Sequence, residues 1–132
     1  MGLLFSSPAP AAAAAAANDD DGDSHVLAIH SKDAWSDHWQ SHKDASKLMV
    51  IDFSASWCGP CRSIEPVFKD MAAKYTDVIF VKIDVDELSE VAQQWKVQAM
   101  PTFVLVKGGS EVGRVVGAKK DELNKKIEQL KA

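Results

Sequence analysis

The chain has 132 residues, 46% of them apolar, only two cysteines, and a net charge of −4. That length suits one compact domain plus a tail, and a single Cys-x-x-Cys pair excludes a disulfide-stapled scaffold and suits a reducing compartment. Asp19, Asp20, Asp21 and Asp23 account for the whole charge excess, so the remainder is formally neutral and lacks the basic footprint of a nucleic-acid binder.

Residues 1–24 read as an extension, expected to be disordered. Pro8, Pro10, the run Ala11 to Ala17 and the acidic cluster give no amphipathic period. The alanine run is too short for a stable isolated helix. Met-Gly-Leu-Leu-Phe-Ser at the start fits the N-myristoylation pattern, with Gly2 as acceptor and Ser6 in the required place. One myristoyl chain anchors only weakly and reversibly. No nearby cysteine or polybasic patch adds a second signal. A secretory leader is disfavoured by the absence of a basic n-region and by the two prolines, and a transit peptide by the absence of arginine. No window offers an apolar span free of prolines and polar breaks.

The domain is expected over residues 25–132. Val26 to His30 reads as a first strand, and Ser31 as the cap of a following helix. Trp35, His38, Trp39 and His42 fall at i, i+3, i+4, i+7, one face of a helix over about Lys32 to Lys43. Leu48 to Ser54 is an apolar run suited to a central strand, with Asp52 inside it. After the cysteines, Ile64, Val67, Phe68, Met71, Ala72 and Tyr75 keep the helical period, and Pro66 is expected to kink that helix. Val78 to Val85 reads as a strand. Leu88, Val91, Ala92 and Trp95 make another helical face. Thr102 to Val106 and Val112 to Val116 are strands joined through Lys107-Gly108-Gly109-Ser110, a hairpin signal. Leu123, Ile127 and Leu130 give a last helix from about Lys120. The order is β-α-β-α-β-α-β-β-α. Strands joined through helices are expected to be parallel, and the hairpin to add an antiparallel edge. The expectation is an α/β domain, a mixed central sheet with helices on both faces.

Cys58-Gly59-Pro60-Cys61 carries the chemistry. A cysteine at a helix start meets unpaired N–H groups and the positive end of the dipole, which favour the reactive thiolate. A redox cycle needs one sulfur exposed and one held back. Cys58 would attack a substrate disulfide, and Cys61, one turn deeper, would attack Cys58 and release the reduced target. Pro60 stiffens the loop and withholds an N–H that would go unpaired. The alternatives are two inert buried cysteines, or zinc held by Cys58, Cys61, His38 and His42. No metal is expected, because the two histidines fit equally well on an amphipathic helix beside Trp35 and Trp39.

Asp52 sits between Val50, Ile51 and Phe53, which argues for burial over a solvent-facing aspartate. A buried carboxyl takes a raised pKa and can exchange a proton with Cys61 near neutrality. Lys82 in the next strand is either its charge partner or a solvated strand lysine. Pro101 in Met100-Pro101-Thr102 is either a plain loop proline or a cis proline that turns the backbone groups of Met100 outward. Trp57 is either core or a rim residue shielding the thiolate.

Trp-Cys-Gly-Pro-Cys-Arg at 57–62, Asp52, Pro66, Met-Pro-Thr at 100–102 and Val-Gly-Ala at 116–118, at these intervals, closely resemble the thioredoxin family. The resemblance covers about residues 25–132, and Phe-Ser-Ala-Ser-Trp-Cys-Gly-Pro-Cys-Arg looks most like the plant h-type branch. It implies a thioredoxin-like fold and a monomeric protein-disulfide reductase cycling through Cys58 and Cys61. It implies a cis Pro101 beside Cys58, with Met100 backbone pairing to bound substrate. A docking surface of Trp57, Gly59, Pro60, Met100, Pro101 and Gly117 for disulfide-containing target proteins follows from it. So does reduction by an NADPH-dependent thioredoxin reductase, with no cofactor bound to the chain. Oxidising or isomerising relatives typically carry His in place of Pro60. The expected location is cytoplasmic, with partial membrane association through Gly2.

Overall fold

A computed structural model describes residues 24–132. The elements are β1 (Val26–Ile29), α1 (Lys32–His42), β2 (Met49–Ser54), α2 (Gly59–Lys74), β3 (Ile79–Asp84), α3 (Ser89–Gln94), β4 (Thr102–Lys107), β5 (Ser110–Val116) and α4 (Lys120–Leu130). The five strands form one sheet in the order β1-β3-β2-β4-β5. The expected α/β class and element order are those observed. Ser31 caps α1, its hydroxyl accepting the N–H of Ala34 at 3.1 Å. Pro66 lies inside α2, which continues through it to Lys74.

Period-two alternation sorts β2 onto two faces. Leu48 and Val50 join the cluster that holds Ile64, Phe68 and Met71 of α2 and Leu123 and Ile127 of α4. Met49, Ile51 and Phe53 join the cluster that holds Trp35 of α1 and Val91 of α3. Both faces are therefore covered, and every residue of β2 is buried, as a central strand requires. Phe68 meets Phe80 edge-on at 5.2 Å and Phe103 at 5.4 Å between ring centroids, tying α2 to β3 and β4. The same alternation puts Asp52 on the α2 face, with Lys82 and Asp84 on that face of β3.

The expected strand directions fail at β4. β1, β3 and β2 are mutually parallel, but β4 runs antiparallel to β2, Phe53 opposite Thr102 and Met49 opposite Val106. The helix between β3 and β4 therefore does not make a parallel crossover. The six residues of α3 rise only about 9 Å, whereas a six-residue strand such as β3 spans about 20 Å. The connection leaves and re-enters the sheet at one end, so β4 starts beside the end of β2. The antiparallel part is thus two strands wide, β4 and β5, rather than an edge alone. The hairpin joining them turns through Gly108 and Gly109, both with positive φ (60° and 79°), as a two-residue type I′ loop requires.

Candidate active site

The end of the sheet where β2 and β3 finish and β4 begins collects the residues singled out by the sequence. Cys58 is the N-cap of α2, in extended backbone, and its sulfur lies 3.2 Å from the N–H of Cys61. Pro60 occupies the first turn of α2. Cys58 and Cys61 are joined as a disulfide across a Cα–Cα distance of 5.3 Å. The carbonyl oxygen of Met100 lies 3.5 Å from Cys58 Sγ. The Met100–Pro101 peptide is cis, and Pro101 accepts the Gly117 N–H through its own carbonyl at 2.8 Å. Two chain segments, the start of α2 and the Met100–Pro101 loop, thus meet at the Cys58 sulfur, the loop brought there by the short return from β3 to β4 and backed by Gly117.

Residue exposure does not separate the two cysteines as expected. Cys58 is 5% exposed and Cys61 6%, because Ala55, Val85 and Met100 pack around both. Their surroundings separate them instead. Cys58 faces the Met100 carbonyl, whereas Cys61 lines a pocket of about 250 Å³ with Asp52, Ser54, Glu65, Lys82 and Asp84. Once the bond is reduced, the orphan N–H groups of the α2 start favour a thiolate on Cys58.

Asp52 is 2% exposed, and its Oδ1 is buried with no hydrogen-bond partner. Burial pushes its carboxyl up to about 7, Lys82 draws it down and Glu65 pushes it up. Lys82 is the register partner of Asp52, but its Nζ donates to Glu65 Oε2 at 2.5 Å. Lys82 therefore acts on Asp52 through the field, within an ion pair to a residue of α2.

Trp57 stands on the rim, 64% exposed, and its indole N–H donates to Asp86 Oδ2 at 2.9 Å. Gly59 and Pro60 are exposed, Met100 and Gly117 half-buried, and Pro101 buried. Glu65 and Asp86 carried no signal in the motif. Glu65 is i+4 from Cys61, so the helical period alone puts the two on one flank of α2. Nothing in the sequence pairs Trp57 with Asp86, which enters from the turn after β3.

His38 and His42 belong to the inner side of α1. Their rings stack at 4.2 Å, and His42 Nδ1 lies 2.9 Å from the His38 carbonyl oxygen. Among the described residues no group of three or more His, Cys, Asp or Glu is placed to hold a metal ion. No helix among them is long and apolar enough to cross a membrane. Gly2 lies outside the described residues.

A reversible dithiol–disulfide pair at a helix start, backed by a carboxyl that titrates near neutrality, defines a thiol-disulfide oxidoreductase. The Thioredoxin family model matches residues 26–129. Thioredoxin H2-2 of Oryza sativa subsp. japonica is 63% identical over 131 residues, 96% of this chain and 93% of that protein. Thioredoxin H2 of Arabidopsis thaliana is 58% identical, over 83% of this chain and 82% of that protein. The crystal structure of the thioredoxin NaTrxh from Nicotiana alata superposes with a TM-score of 0.82 at 62% identity, covering 83% of this chain and 95% of that one. The chain belongs to the thioredoxin family, and these relatives are its plant h-type members.

Proposed function

We propose that the chain reduces disulfides of target proteins, with the role of each residue as follows. The Cys58 thiolate attacks one sulfur of the target disulfide, forming a mixed disulfide and releasing the other target sulfur as a thiolate. Cys61 passes its proton to the Asp52 carboxylate through water in the pocket, then attacks Cys58 Sγ. The second target sulfur leaves, and the Cys58–Cys61 disulfide is restored. An NADPH-dependent thioredoxin reductase returns the two electrons. The target's backbone pairs with Met100 on the surface of Trp57, Gly59, Pro60, Pro101 and Gly117. The observation that carries this reading is the placement of Cys58 against the Met100 carbonyl, with Cys61 turned to the pocket of Asp52.

A redox titration of Cys58–Cys61 against glutathione tests the direction of electron flow. The expected midpoint is more reducing than the glutathione couple, with insulin-disulfide reduction in the presence of NADPH and the reductase. A more oxidising midpoint would favour a disulfide oxidant or isomerase.

For the extension, we propose a division at residue 24/25, with residues 1–24 carrying an acylated Gly2 and a monomeric domain after them. The protein would then be cytoplasmic with a share on membranes. The supporting observation is the Met-Gly-Leu-Leu-Phe-Ser start. Mass spectrometry of the native N-terminus should show a Gly2 amide carrying a myristoyl group; a free or acetylated Gly2 excludes the anchor.

A further inference from the structure

Six ionisable side chains meet around the pocket behind Cys61. Asp52 comes from β2, Lys82 and Asp84 from β3, and Cys61, Arg62 and Glu65 from α2. The residue opposite Asp52 on β4 is the apolar Phe103. Two of the charges have partners away from Asp52. The Arg62 guanidinium donates to the Ser56 carbonyl at 2.6 Å, and Asp84 Oδ1 accepts the N–H of Asp86 at 2.7 Å. Lys82 and Glu65 remain, joined to each other at 2.5 Å with side chains 29% and 32% exposed. Below them lies Asp52, its Oδ1 without a hydrogen-bond partner.

We infer that Glu65 is a positioning residue for the resolving step: by pairing with the Lys82 ammonium it offsets the pull of that charge on Asp52 and keeps Asp52 able to take the proton of Cys61. The inference rests on the reading of Asp52 as proton acceptor. With the pair intact, the carboxyl below feels two opposed charges, Lys82 ahead of Glu65, and burial is the largest influence on its proton affinity. Without the Glu65 charge, the pull of Lys82 is no longer offset by it and favours the Asp52 carboxylate, which becomes a weaker base. Without the Lys82 charge, Glu65 acts alone and favours the protonated form. Partial exposure of the pair screens both effects but leaves their signs.

The full-length protein in its disulfide form is the system to measure, because its cysteines then have no proton to lose. A ¹³C NMR titration of the Asp52 side-chain carboxyl reads the group directly. Glu65→Gln is expected to lower the midpoint by about one pH unit and Lys82→Met to raise it by about as much. The double variant, with neither charge left, should lie between the two single variants. In stopped flow, the pH profile of the resolving step should move with each midpoint. An unmoved midpoint in Glu65→Gln overturns the inference, as does a loss of thermal stability without opposite shifts in the two single variants. If the midpoints move as expected but the profile of the resolving step does not, and Asp52→Asn leaves that step unchanged, the reading of Asp52 fails and the proposed role of Glu65 fails with it.

Discussion

Replacing Cys61 by serine is expected to stop the cycle halfway. The introduced hydroxyl cannot resolve the mixed disulfide, so Cys58 keeps its target. Turnover of a disulfide substrate should fall by about a thousandfold or more, as when a reacting group is removed from a unit that works jointly. In a cell extract the variant should accumulate covalent adducts that dithiothreitol releases, and non-reducing electrophoresis counts them. Cys58→Ser should lose turnover equally and trap nothing, because Cys61 faces the pocket rather than the Met100 carbonyl. Equal trapping by both variants would overturn the division of labour between the cysteines. Absence of trapping by Cys61→Ser, together with no insulin reduction by wild type, would leave a thioredoxin-shaped binding module.

The second large effect concerns stability. The Asp52 carboxyl is raised from 3.8 to about 7 in the folded chain, chiefly by burial. Between these values the folded state holds a proton that the unfolded state has released, so stability falls as pH rises through the window. The loss is fully present above the folded value and absent below about pH 4. A shift of roughly three units corresponds to on the order of 4 kcal/mol. Asp52→Asn keeps the shape and cannot ionise. Urea unfolding of the disulfide form should therefore show the variant gaining on wild type by that order at pH 8.5. The two should converge near pH 4. A difference independent of pH would show that Asp52 is not buried as a titrating acid. The same variant should slow the resolving step more than the first attack; equal rates for both steps would remove the proposed proton transfer.

Much of this was legible in the sequence because it follows from short periods. The apolar run around Asp52 announced its burial, since Val50, Ile51 and Phe53 leave a central strand covered on both faces. The Cys58-Gly59-Pro60-Cys61 run carried its own helix start. What was not legible depends on lengths and pairings that no local pattern records. Leu88, Val91, Ala92 and Trp95 fit a helical face whether the helix has two turns or four, and the direction of β4 turned on that difference. Glu65 read as an ordinary polar position of α2, because its meaning comes from Lys82, 17 residues further on. Trp57 was ambiguous between core and rim until Asp86 supplied its partner, 29 residues away.

The reversal of β4 also bears on how the protein comes into being. A nascent chain carries both cysteines long before it carries Met100, and β2 stays without its second neighbour until β4 pairs with it. Such long-range pairing is the slow kind. A chain halted before residue 100 would hold the reactive motif with neither the Met100 carbonyl beside Cys58 nor a closed sheet around Asp52. Reductase competence should therefore arrive with completion of the whole domain, which spares the unfinished chain from acting on disulfides while it is still being made.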